Sequence, residues 1–230
     1  PTRVALVRTA VGPRPEEKVN LGALKCPSCG GPMPIRTPDT TERAACQYCH
    51  ALVDVTRGNL AIAEQLRQPK INPLIPLGTE GTVRGEQVIC IGFMQRSTWS
   101  DGEAFNWREY LFHAPGGYRW LMEDNGHFMW IKPVSNADVV VQGLSARWAG
   151  RTHRLFSTAH ATVEFVIGEF YWRVSVGDTA DLADFIDPPH IISEERTDNE
   201  VNWSGGEYLP GKELWQGLAL PGSTPKPQGM

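Results

Sequence analysis

The sequence predicts a mainly β fold, in which a small ribbon built around four cysteines precedes an antiparallel β domain of two related modules. Three observations predict it. Two C-x-x-C pairs stand sixteen residues apart, short apolar and aromatic runs punctuated by Gly, Pro, Asn and Asp fill the chain from Gly78 onward, and the two halves of that region echo one another. Short helices are expected at two points, one connecting and one C-terminal. With 230 residues, 41% of them apolar and eight of them Trp, the chain can bury a real core.

Residues 1–22 mix Arg, Pro and Gly with a short apolar run at Val4–Val7 and read as an N-terminal arm. Residues 23–56 form the cysteine module. Cys26-Pro27-Ser28-Cys29 and Cys46-Gln47-Tyr48-Cys49 have the paired-knuckle spacing of a tetrahedral thiolate zinc site. Each C-x-x-C lets a tight turn present two sulfurs to one ion, and Gly30-Gly31 supplies unhindered backbone. His50 comes directly after Cys49, but four thiolates already complete the shell. Disulfides are disfavoured without a secretory signal, and a single redox pair does not explain the second motif. One zinc ion is therefore expected on Cys26, Cys29, Cys46 and Cys49. It is expected to be structural, because a four-thiolate site leaves no position open for water.

Residues 57–77 read as a short helix and a Pro-rich linker. Asn59–Gln68 spaces Leu60, Ala63 and Leu66 on one helical face before Pro69 forbids continuation, and Pro73 and Pro76 stiffen the linker into the next domain. The first β module, 78–134, has expected strands at Gly81–Arg84, Gln87–Met94, Trp107–His113, Tyr118–Met122 and Phe128–Lys132. Pro115-Gly116-Gly117 and Asn125-Gly126 supply hairpin turns between them. The second module, 135–220, has expected strands at Val139–Val141, His153–Ser157, Ala161–Ile167, Glu169–Val174 and near Val201–Trp203. Arg84-Gly85 before a strand ending Ile91-Gly92 is echoed by Ala149-Gly150 before one ending Ile167-Gly168. Pro210 is placed to start a helix that Leu214, Trp215 and Leu218 would dock, and 221–230 reads as a tail.

The formal charge of -4 gives no global attraction to phosphate backbones. The acidic excess lies in the C-terminal half, where a solvated surface and a partner surface are both readings. No run reaches the roughly 18 apolar residues that span a bilayer, and the opening lacks the apolar centre of a signal peptide, so the chain is expected to be cytoplasmic. Cys90 lies inside the apolar run Val88–Ile91 and reads as a buried inert thiol. The histidines lack metal-ligand spacing, and nucleophile, phosphate-loop and dinucleotide motifs are missing. Glu109, Glu169 and Glu207 stand beside aromatics in strand patterns. They read either as acids or bases with raised pKa or as acceptors for buried amides, and the second is preferred. No catalytic residue is assigned. Trp107, Tyr118, Trp120 and Trp203 are expected in the core.

Separate blocks in order then carry a resemblance: Leu77–Gly81, Trp107–Leu111, Gly117–Leu121, Gly168–Phe170, Asp184–Pro189, Ser193 with Glu195, and Trp203–Leu209. The chain resembles bacterial proteins with domain of unknown function 4178, often preceded by such a zinc ribbon, over roughly residues 23–220. The resemblance supplies no activity. It implies a role at the inner face of the membrane, reached through a partner, in systems linked to membrane stress or polyamine metabolism.

The first expectation is a non-catalytic scaffold or adaptor that binds a protein or a membrane-associated complex. The second is an enzyme or a binding domain for a small cationic ligand, using Glu109, Glu169 and Glu207 with Arg108 or Arg119. The third is nucleic-acid binding through the ribbon. Glutamates gathered in one pocket would favour the second, and separated ones the first.

Overall fold

The computed structural model describes residues 24–56, 59–65, 71–100 and 102–229. The expected N-terminal arm, the end of the expected connecting helix and Pro69 lie outside them.

The ribbon contains two hairpins. In the first, β1 (Leu24–Lys25) pairs with β2 (Pro32–Met33); in the second, β3 (Arg43–Ala45) pairs with β4 (Ala51–Thr56). The described part of the connecting helix expected over Asn59–Gln68 is not helical. Asn59–Gln65 is instead a strand, β5, antiparallel to β4, with Thr56 opposite Asn59. An isolated helix shorter than about 12 residues is marginal in water, whereas the free edge of β4 satisfies this backbone at once. Leu60 and Ile62 also fit a period of two, which the three-residue spacing had concealed.

Eight strands then close a barrel. A first meander runs through β6 (Glu80–Val83), β7 (Glu86–Ser100), β8 (Glu103–Ala114), β9 (Gly117–Asp124) and β10 (His127–Val134). After a small hairpin of β11 (Val140–Gln142) and β12 (Ser145–Trp148) comes a second, β13 (Arg151–Phe170), β14 (Thr179–Asp187), β15 (His190–Arg196) and β16 (Val201–Tyr208). The wall is closed by β10 on β16 and by β13 on β7, while β6 extends the sheet beyond β7. The first wall strands of the two modules, β7 and β13, thus pair with each other, and so do the last, β10 and β16, which is how two modules share one barrel. The echoed dipeptides occupy equivalent places: Arg84-Gly85 turns β6 into β7, and Ala149-Gly150 turns β12 into β13. All four of these residues have positive φ, the backbone of a two-residue turn matched to strand twist.

The longest strand, β13, was expected as separate pieces. It is continuous over 20 residues and changes partner midway, with Arg154–Thr162 along β14 and Val163–Gly168 along β7. Register shifts at Leu155/Ser157 and Val163/Phe165 are bulges, which bend the strand without ending it. Tyr171–Val174, expected as strand, lies beyond its end. Its last residues pair with β3, Gly168 opposite Ala45 and Phe170 opposite Arg43, so the ribbon sheet continues the barrel wall.

The outside is covered on two sides. Helix α1 (Gly211–Gly217) buries Leu214 and Trp215, and Leu218 behind it, against Val83, Phe112 and Phe128, as expected from their spacing. On the other side the β11–β12 hairpin lays Trp148 on Gly205, where an added Cβ would stand 2.7 Å from the indole. No helix among the described residues is long and apolar enough to cross a membrane.

Candidate functional site

The barrel interior is packed at one end and open at the other. Leu111, Trp120, Val163, Phe170 and Val174 fill the ribbon end, with Tyr171 stacked on Tyr118 at 4.3 Å beneath them. Towards the opposite end the walls enclose a cavity of about 1740 Å³. An eight-stranded barrel is just wide enough to be filled by side chains or to hold one small ligand, and this one does both along its length.

Polar groups on the cavity wall form two sets. In the first, Arg96, only 4% exposed, donates to both carboxylate oxygens of Glu195 at 3.0 and 3.3 Å and lies 3.5 Å from Glu109. Its guanidinium sits 5.9 Å from the Trp107 ring, and the Trp107 indole donates to Glu109 at 2.7 Å. Burial pushes the Glu109 carboxyl above its ordinary range, against the pull of Arg96. In the second set, the two oxygens of Asp184 accept from the hydroxyls of Ser193 and Ser157 at 2.6 and 3.1 Å. Burial raises this carboxyl too, with the two hydroxyls opposing. Met94, Met122, Met129, Ile131 and Ile191 supply the apolar wall between them. The lining carries nine Asp or Glu against three Arg and no Lys, with Asp181, Asp198 and Glu200 on its exposed rim, so the acidic excess of the C-terminal half gathers in and around the cavity.

Of the three glutamates singled out from the sequence, only Glu109 enters the cavity. Glu169 is 2% exposed and accepts the Arg36 and Thr37 amides at 2.7 and 3.0 Å, with the Thr37 and Thr41 hydroxyls at 3.3 Å. It ties the ribbon to the barrel, as expected of a structural acceptor. Glu207 lies outside the cavity, 3.7 Å from Arg84 and 3.9 Å from His190. Arg108 and Arg119 pair with Glu123 and Glu86, away from the lumen. Trp120 and Trp203 are buried as expected, half-buried Tyr118 packs against the core at the border of the cavity, and Trp107 is half-buried on the cavity wall instead of in the core. Cys90 is fully buried, with its thiol pushed well up by burial.

Sequence reasoning assigned no role to Arg96, Ser157, Asp184, Ser193, Glu195 or Ser204. A signal was present for four of them: Asp184, Ser193, Glu195 and Ser204 all stand in the blocks that carried the family resemblance, as do Trp107, Glu109, Tyr118 and Trp120. Those residues converge on one lumen.

The four cysteines come together at the packed end. Their sulfurs all lie within 4.8 Å of one another, with Cys26 and Cys49 at 3.6 Å and Cys29 and Cys46 at 3.8 Å. A tetrahedral thiolate site with bonds of about 2.3 Å has edges of about 3.8 Å, so the set fits a metal ion. Amides of Ser28, Gly31 and Tyr48 donate to Cys26, Cys29 and Cys46 at 3.4 Å, stabilising negative sulfur. Gly31 is required here, since a Cβ would stand 2.7 Å from the Tyr48 ring. His50 packs edge-on against Phe165 at 5.6 Å and takes no part.

No curated protein and no solved structure matches the chain. One family model does, that of "Domain of unknown function (DUF4178)", over residues 76–211; the barrel with its cavity falls inside the match and the cysteine ribbon before it. Matched over more than half of its 230 residues, the chain belongs to the DUF4178 family.

Proposed function

We propose that this chain is a binding module whose barrel lumen receives one small organic cation. The observation that carries the reading is the cavity of about 1740 Å³ with nine acidic side chains and three Arg on its wall and rim, which are otherwise rich in methionine and aromatics. Its mouth is open, so the volume exceeds the roughly 300–1,000 Å³ of an enclosed small-molecule site. Arg96 is committed to Glu109 and Glu195 and leaves the lumen acidic. Among the described residues no hydroxyl or thiol facing the cavity is paired with a His, and the base beside Ser157 and Ser193 is Asp184 with no third group to orient it, which favours binding over catalysis.

The ribbon is the prop of the packed end. We assign zinc to Cys26, Cys29, Cys46 and Cys49 as one structural ion, and the reducing cytoplasm, where free thiols persist, as the compartment. Elemental analysis should return one zinc per chain, and Cys26→Ser should lose it; a metal-free protein with a Cys26–Cys29 disulfide under reducing conditions overturns the assignment.

A second reading, an adaptor for a protein or membrane-associated partner, is favoured by the β11–β12 hairpin, where Val140, Val141 and Leu144 are exposed. It predicts that Leu144→Asp abolishes capture of a partner from the source cell while leaving lumen binding intact. The lumen reading is tested by thermal shift with octylamine, octyltrimethylammonium and octanoate. Both cations should raise the midpoint and the carboxylate should not. A shift with octanoate alone, or with none of the three, refutes it.

A further inference from the structure

We propose that Asp184 anchors a primary ammonium group carried on an apolar body, an inference that rests on the lumen being the binding site. Register places the anchor in a row. Ser157 faces Asp184 across β13 and β14, Asp184 faces Ser193 across β14 and β15, and Ser193 faces Ser204 across β15 and β16. All four line the cavity.

Ser157 and Ser193 give their hydroxyl protons to Asp184, at 3.1 and 2.6 Å, which leaves their oxygens with lone pairs for the lumen. The Ser204 hydroxyl has no protein partner among the described residues. The row therefore offers a concentration of acceptors around one carboxylate. A primary ammonium, with three N–H donors and no acceptor, is its complement. A quaternary ammonium has no N–H to give and is recognised by aromatic faces instead.

The charge balance points the same way. Glu109 and Glu195 share Arg96, and Glu123 has Arg108, but among the described residues no Lys, Arg or His forms an ion pair with Asp184. A recessed carboxylate without a counter-cation is costly, and burial raises this one accordingly. Two residues along the strands, the next register row is Ile186, Ile191, Gly206, Ile131 and Trp120, and its four side chains Ile186, Ile191, Ile131 and Trp120 line the cavity. An apolar surface thus begins where the carboxylate row ends, fitting an amine attached to hydrocarbon.

Titration calorimetry of the full chain with octylamine and octyltrimethylammonium tests this, using the parent, Asp184→Asn and Ser193→Ala. Octylamine should bind about tenfold or more tightly than the quaternary cation. Asp184→Asn should erase that preference while keeping the parent's circular dichroism, and Ser193→Ala should weaken octylamine alone. Equal binding of the two cations by the parent, or a preference that survives in Asp184→Asn, overturns the anchor and leaves the lumen reading standing. Binding of neither cation overturns both.

Discussion

The two ends of the barrel interior are built from the same strands to opposite purposes. At the ribbon end, β7, β8 and β13 point Ile91, Leu111 and Phe170 inward to close a dry core. At the other end the same strands, with β14–β16, point Arg96, Glu109, Ser157, Asp184 and Glu195 into open space. A sheet of one architecture serves as core or as container according to which residues take its inward positions, since alternation along each strand carries side chains to either face. The packed end fixes shape; the open end concentrates charge where it can act.

This contrast predicts unequal costs for equal truncations. Phe170→Ala, at a fully buried position wedged against Trp172 at 5.1 Å, should lose about 3–5 kcal/mol. Urea denaturation checks it, and a loss below about 1 kcal/mol would mean that the ribbon end is no better packed than the lumen. Next comes Glu169→Gln, which removes the charge that strengthens four hydrogen bonds to Oε2 and, with the amide oxygen kept in that place, puts an NH₂ where Oε1 faces the Arg36 guanidinium at 3.6 Å. Here the expected loss is about 1–3 kcal/mol, with hydrogen exchange accelerating at the Arg36 and Thr37 amides. Unchanged protection at those amides would break the view of Glu169 as the tie between ribbon and barrel. Met122→Ala, on the half-buried lumen wall, should cost under about 1 kcal/mol because the lost volume merely enlarges an existing cavity. A loss approaching that of Phe170→Ala would show that the lumen wall is core.

The same contrast explains which parts were visible in the sequence. Strands β6 to β10 and helix α1 were readable because one of their faces meets a dry core, so apolar alternation and turn residues such as Asn125-Gly126 stand out. β14 and β15 were not. Their inward positions include Asp184, Ser193 and Glu195, and the buried outward residues Phe185 and Ile192 stand singly among charged ones such as Asp181 and Glu194, so no run of apolar alternation is sustained. The cavity was invisible for the same reason: it is made by the residues that defeat strand recognition. In β13 the stretch Thr158–His160 looked like a boundary between two strands and is where the continuous strand runs along the rim of the cavity. The cysteine cluster needed no such context, because its ligands come in pairs and turn chemistry places each pair.

The smallest expected effect on stability falls on Asp184 and is the sharpest test of the open end. Its carboxyl is raised by burial, so folding favours its protonated form. That contribution is present in full below the ordinary carboxylate pKa and is lost as pH climbs through the raised value in the folded chain. Asn at this position cannot ionise, keeps an acceptor oxygen for one serine, and removes a charge for which the described residues provide no cation. Asp184→Asn should therefore be close to the parent at pH 4 and equal or more stable at pH 8, the difference moving in favour of the variant as pH rises. Urea midpoints of both proteins across that range measure it, and Glu109, also raised, cancels because both chains contain it. Saturating octylamine should reverse the order at pH 8, because a ligand that binds the folded parent more tightly stabilises it more. A variant that loses ground as pH rises without ligand would show that ionised Asp184 strengthens the fold, and the open end would then be an extension of the packed one.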